Sequence, residues 1–136
     1  MSNSSLEDLG KLVLRLTVGI LLLLHGIAKL SKGVSGIEHM VAAHGLPAFL
    51  AWGVYIGEVV APLLLILGVY ARLGAMLVVI NMVVALVLAH SGQWLMLSGS
   101  GGWHLELQGL FLFGALSIAL LGAGRYSLGG TAGRWN

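Results

Sequence analysis

The chain contains no cysteine. That absence excludes disulfide relay chemistry, Cys-ligated iron–sulfur clusters and thiol catalysis within this chain. Charge is almost as scarce. Seven Lys or Arg and five Asp or Glu make up 9 % of the 136 residues, where a soluble domain carries about 25 %. A small soluble domain has a high surface-to-volume ratio and cannot cover itself with so few charges. An ordinary soluble globular domain and a disordered chain are therefore excluded. Nucleic-acid binding is excluded too: the net charge is only +2, and the basic residues are scattered rather than clustered. Apolar residues, by contrast, make up 58 % of the chain. The composition is that of an integral membrane protein, and the length fits one domain covering residues 1–136.

A transmembrane helix needs about 20 mostly apolar residues. Four segments qualify, at about residues 12–30, 46–70, 73–90 and 104–123. The runs are too long for barrel strands, and their apolar residues do not alternate. The expected fold is all-α: a polytopic membrane four-helix bundle. Between the first two spans, Val34, Ile37, Met40 and Val41 share one helical face, which predicts a short amphipathic helix at the interface. Gly45 ends it, and Pro47 suits the first turn of the next helix. A tight turn around Ala71 and Arg72 makes spans two and three antiparallel neighbours. The third connection is rich in Gly and Ser, and Trp94 and Trp103 bracket it as interfacial anchors.

Lys and Arg asymmetry sets the orientation. Lys11, Arg15, Arg72, Arg125 and Arg134 lie on the side of both termini, and Lys29 and Lys32 on the other. This places both termini in the cytoplasm. The opening segment lacks the basic start and the cleavage site of a signal peptide.

An ionisable residue inside a membrane span is costly and is a functional-site hypothesis by default. Glu58 lies about 16 Å below the outer end of span two at 1.5 Å per residue. Asn81 is at nearly the same depth on span three, and Arg15 within a few turns of it on span one. One reading is an Arg15–Glu58–Asn81 lock; the other is a proton-carrying or ligand-polarising carboxylate. His25 and Lys29, four apart, share a face of span one, where Lys29 can snorkel to the headgroups. His90, His104 and Glu106 lie near the outer ends of spans three and four, and of the last two Glu106 is preferred. A metal site made by His25, His90 and Glu106 is a weak candidate, since no metal-binding spacing is present. A haem held by His25 and His90 is weaker still.

These residues also form a pattern that resembles the DoxX family of small bacterial four-helix membrane proteins. It is carried by Arg15, His25-Gly26 and Lys29 in span one, the connector His44-Gly45-Leu46-Pro47, Glu58 followed by Leu67-Gly68 and Arg72, His90 ending span three, Glu106 opening span four, and the tail Gly122, Gly124 and Ser127-Leu128. The likeness runs from about residue 9 to 129. It implies an inner-membrane protein linked to quinol or thiosulfate–quinone redox complexes.

Three functional hypotheses follow. In the first, a subunit of a redox complex holds a quinone. Glu58, His25 and Glu106 exchange protons with it, and Arg15, Lys29, Asn81 and His90 shape the pocket. Electrons then come from a protein partner, because the chain has no redox motif of its own. In the second, the chain is a non-enzymatic scaffold or assembly factor whose polar residues form a structural lock. In the third, ranked lowest, it is a small transporter that works as a homo-oligomer.

Overall fold

The computed structural model describes residues 1–136 and contains helices and turns with no strand. Helix α1 (Asn3–Lys32) starts earlier than the apolar run. Ser2 caps it by accepting a hydrogen bond from the Ser5 N–H at 3.2 Å, and nothing before Gly33 breaks it. Its 30 residues reach about 45 Å, well past a hydrocarbon layer of about 30 Å. Its first turns therefore extend beyond that layer, and there Asp8 pairs with both Lys11 and Arg125 at 3.8 Å.

Gly33 has a positive φ of 81° and turns the chain into α2 (Ser35–Ala43). The expected apolar face of α2 forms, but it turns onto the end of the bundle rather than toward lipid. Val34 and Val41 are buried with Ala51, beside Ile37, Val54, Tyr55 and Leu88.

The second span is not one regular α-helix. After Pro47 it runs as a 3₁₀ helix (Ala48–Gly53), then a π-helical turn (Ile56–Val60), then α3 (Ala61–Leu67). Pro62 explains the π turn. It has no N–H to give the Glu58 carbonyl four residues earlier, and the Ala61 N–H reaches back five residues to the Ile56 carbonyl instead. The local widening turns on Glu58. Such bulges are frequent at functional sites.

Gly68, with φ 71°, ends α3 in the left-handed conformation. Its N–H and that of Val69 both donate to the Leu64 carbonyl, at 2.9 and 3.2 Å. The tight turn is therefore Gly68–Tyr70, slightly earlier than expected, and Ala71 and Arg72 already belong to α4 (Ala71–Leu88). The N-terminal amides of α4 are capped from the tail: Ala71 N–H donates to Asn136 Oδ1 at 3.0 Å, and Arg72 N–H to the Trp135 carbonyl at 2.9 Å.

Three helical segments, Asn3–Lys32, Ala48–Leu67 and Ala71–Leu88, are long and apolar enough to cross a membrane. The fourth, α5 (Glu106–Leu121), is apolar but has 16 residues, about 24 Å. Ahead of it, the α4–α5 loop folds back on itself. Trp103 Nε1 donates to the Trp94 carbonyl at 2.7 Å, and Trp94 Nε1 to the Leu86 carbonyl at 3.1 Å.

The core lies where small residues let helices approach. Val18 and Leu22 of α1, Ala61 and Leu65 of α3, Ala75 and Val78 of α4, and Ala115 and Ile118 of α5 are all buried. Larger side chains such as Leu24, Ile80, Leu110, Phe113 and Leu120 are exposed around the outside. In a membrane that arrangement is stable, because lipid tails are as apolar as the core and helices associate by close packing.

Candidate ligand cavity and its ion pair

Above the tightly packed half, the bundle opens. Between α1, the irregular part of the second span, α4 and the start of α5, under the cover of α2, lies a cavity of about 630 Å³. Its wall is mostly aliphatic, with Phe111. His25, Lys29, Glu58, Asn81, His90 and Gln108 also reach it. A largely apolar cavity with a few convergent polar groups is the usual form of a small-molecule site.

The central feature is an ion pair. Lys29 Nζ donates to Glu58 Oε1 at 2.7 Å and to Oε2 at 2.5 Å. The Glu58 side chain is 6 % exposed and that of Lys29 31 %. Two ammonium hydrogens are thus used and a third is left. Geometry on both sides holds the pair. Gly26 on α1 is buried directly against the Glu58 backbone, and a Cβ there would collide with the Glu58 carbonyl. Only glycine allows α1 to come this close to the π turn. From the second span, Tyr55 Oη donates to the Lys29 carbonyl at 3.1 Å.

His25, one turn before Lys29, meets Phe111 edge-on with ring centres 5.8 Å apart. Asn81 lies across the cavity against Gly57, where a Cβ would sit 2.5 Å from the Asn81 Cβ. Neither His25 nor Asn81 is tied up in a side-chain hydrogen bond within the protein, so both can serve a ligand. His90 is engaged instead: Nδ1 is 2.9 Å from Gln93 Oε1, and Nε2 is 3.4 Å from Gln108 Nε2. A tautomer with the proton on Nδ1 satisfies both.

The Arg15–Glu58–Asn81 lock expected from depth does not form. Arg15 lies eleven residues before Gly26 on α1, about 16 Å along the axis. Its guanidinium is 1 % exposed and has no carboxylate partner. It donates to the backbone carbonyls of Leu65 (2.7 Å), Ala123 (3.0 Å) and Tyr126, with a longer contact to Ile66. Leu65 and Ile66 belong to the last turn of α3, and Ala123 and Tyr126 follow α5. Carbonyls at helix C-termini lack intrahelical donors and carry the negative end of the helix dipole. A planar, five-donor cation satisfies several of them at once. Arg72 does the same for α5, donating to the Ala119 and Leu120 carbonyls at 3.0 Å. Arg15 is therefore a helix-end clasp remote from the cavity, and neither tunes Glu58 nor lines the pocket.

Glu106 is also displaced from the site. It is exposed at the start of α5, turned toward Gly102, while Gln108, two residues on and so on another side of the helix, reaches the cavity. His25, His90 and Glu106 are not gathered, and no three His, Asp or Glu side chains lie close enough together to hold a metal ion. A bis-histidine haem fits poorly as well, since both ring nitrogens of His90 already have partners. His104 is exposed in the turn before α5.

Residues 10–91 match the DoxX family. The chain belongs to the DoxX family. The matched stretch contains most of α1, all of α2 to α4 and with them His25, Lys29, Glu58, Asn81 and His90; Gln108 and the tail carbonyls that hold Arg15 lie beyond it. Over 85 residues this DoxX chain is 29 % identical to a protein of Bacillus subtilis (strain 168) described as "Putative oxidoreductase CatD". That alignment covers 62 % of each chain, so it spans less than two thirds of the relative's length. No solved structure matches the chain.

Sequence reasoning missed Gln108, Tyr55 and the importance of Pro62. Gln108 had a signal: a polar side chain within an apolar span, overshadowed by the nearby acid. Pro62 had one too, since a proline four residues after an intramembrane carboxylate removes the helical donor at that carboxylate's own carbonyl.

Proposed function

We propose that this DoxX protein is the membrane-embedded, ligand-holding part of a redox complex, and that its cavity takes the ring of a quinone. The observation that carries the proposal is the Lys29–Glu58 pair at the wall of an otherwise apolar cavity, with His25 and Asn81 free beside it. A quinone is an apolar ring with two carbonyl oxygens. Reduction adds two electrons and two protons, and the protons must be delivered where water is scarce. The spare N–H of Lys29 and the Asn81 amide can orient a carbonyl oxygen. His25 and the Lys29–Glu58 pair can pass protons to it. His90, held by Gln93 and Gln108, closes the outer end. The electrons come from a partner redox protein. The oxidoreductase description of the Bacillus relative agrees with this reading. The basic residues on the side of the termini support an inner-membrane orientation with both termini cytoplasmic.

The test is chemical. Protein purified in mild detergent from quinone-containing membranes is extracted with organic solvent and the extract examined for isoprenoid quinone. The expected result is near-stoichiometric quinone with the natural chain and loss of it in Ala85→Trp, which fills the cavity. A trace equal in both proteins would reject the proposal.

A further inference from the structure

The cavity has a neighbour. At the end of α1 remote from the termini lies a more open groove of about 320 Å³, whose wall includes His25, Ala28, Lys29, Lys32, Gly36 and Ile37. His25, Lys29 and Ile37 belong to both walls. The partition between the groove and the membrane-embedded cavity is thus one turn of α1 carrying two proton-exchanging side chains. The ion pair straddles it: the carboxylate end is 6 % exposed and the ammonium end 31 %.

We infer that His25 and Lys29 form a hydrated port between the cavity and the aqueous phase on the α2 side of the membrane, through which the cavity exchanges protons. The third ammonium hydrogen of Lys29 needs an acceptor, and an unpaired charged donor is costly away from water. The groove brings water to it. Imidazole can take a proton at one ring nitrogen and release one from the other, which suits His25 on the shared wall. Lys32 on α1, the Tyr55 hydroxyl and Glu58 on the second span, and His90 on the cavity side complete the titratable groups around the port. From α2 come Gly36 and Ile37; Glu38 and His39 line neither space. A proton delivered from Lys29 or His25 to a ligand is replaced by one from groove water, so the pair returns to its starting state with no other bond changed. The inference rests on the ligand-cavity reading only for the use made of the protons.

The test exploits the cysteine-free chain. Single cysteines are placed at His25, Ala28, Ile27 and Ser35 in sealed, oriented vesicles, and a membrane-impermeant charged thiol reagent is added to one side at a time, without quinone. The thiolate is the nucleophile that attacks such reagents, and it forms where water reaches, so His25→Cys and Ala28→Cys should react from the α2 side within about tenfold of Ser35→Cys. Neither should react from the side of the termini. Ile27→Cys, exposed on α1 but in neither wall, should stay unlabelled. Adding Gly36→Trp should plug the groove and slow His25→Cys by about tenfold or more if water is what carries the reagent in. Unreactive cysteines at both 25 and 28 while Ser35→Cys reacts, or labelling from the side of the termini, would overturn the inference. Because no quinone is used, this outcome is independent of whether quinone binds.

Discussion

Replacing Lys29 by Met removes the only cation paired with Glu58 and leaves the carboxylate, 6 % exposed, against the backbone of α1. Losing one partner of a fully buried ion pair destabilises by about 3–5 kcal/mol, because the other charge is left uncompensated. Lys29 is 31 % exposed, so solvent already screens part of the interaction, and about 2 kcal/mol is the better expectation. Glu58→Gln leaves an ammonium with access to water and should cost less, about 1 kcal/mol. The double variant has no uncompensated charge. It should recover most of the summed loss and give a coupling of about 2 kcal/mol. The assay is reversible unfolding in mixed micelles of increasing SDS fraction, followed by fluorescence of the four tryptophans. Single-variant losses that add within about 0.5 kcal/mol would refute a coupled pair, and with it the geometry of the cavity wall.

Other consequences are as direct. Arg15→Lys keeps the charge but cannot reach both the carbonyls in the last turn of α3 and those after α5, so the same assay should show a loss of about 2–3 kcal/mol; a change under about 0.5 kcal/mol would mean the clasp is incidental. Gly26→Ala drives a methyl into the Glu58 carbonyl, and a loss of about 1–3 kcal/mol should accompany displacement of the π turn, whereas the open position Gly36 should tolerate alanine. Asn136→Ala removes the side-chain acceptor for the Ala71 amide and the side-chain donor to the Gly130 carbonyl and should lower stability by about 1–2 kcal/mol, with hydrogen exchange rising at the first turn of α4.

The helical bundle was legible because lipid imposes it: long apolar runs must satisfy their backbone internally, and glycine and proline mark where they stop. The face of α2 was legible from its spacing, but not what it would cover, since the end of a bundle and a lipid surface attract the same residues. Glu58 and His25 stood out as costly side chains, as did Arg15 and Glu106, and the i, i+4 spacing of His25 and Lys29 put those two on one face. The partner of Glu58 was not legible. Depth pointed to Arg15, and the pairing with Lys29 depends on how far α1 extends beyond the bilayer and on Gly26 setting the register between helices. Backbone carbonyls in the last turn of α3 and after α5 are invisible to a search for carboxylate partners, which is why Arg15 looked like a counter-ion. Glu106 and Gln108 differ by two residues, and which one faces inward follows from where α5 begins, set by the folded tryptophan loop.

The proposed quinone site is built on the Lys29–Glu58 pair. Its most direct test is an equilibrium titration of nanodisc-reconstituted protein with a short-chain quinone, read by quenching of intrinsic tryptophan fluorescence. Saturation at one quinone per chain is expected, with loss of affinity by about tenfold or more in Lys29→Met, since a charged hydrogen-bond donor contributes about 1.5–3 kcal/mol, and no saturable phase in Ala85→Trp. Linear quenching that is the same in all three proteins would show only partition into lipid and would contradict the proposed site.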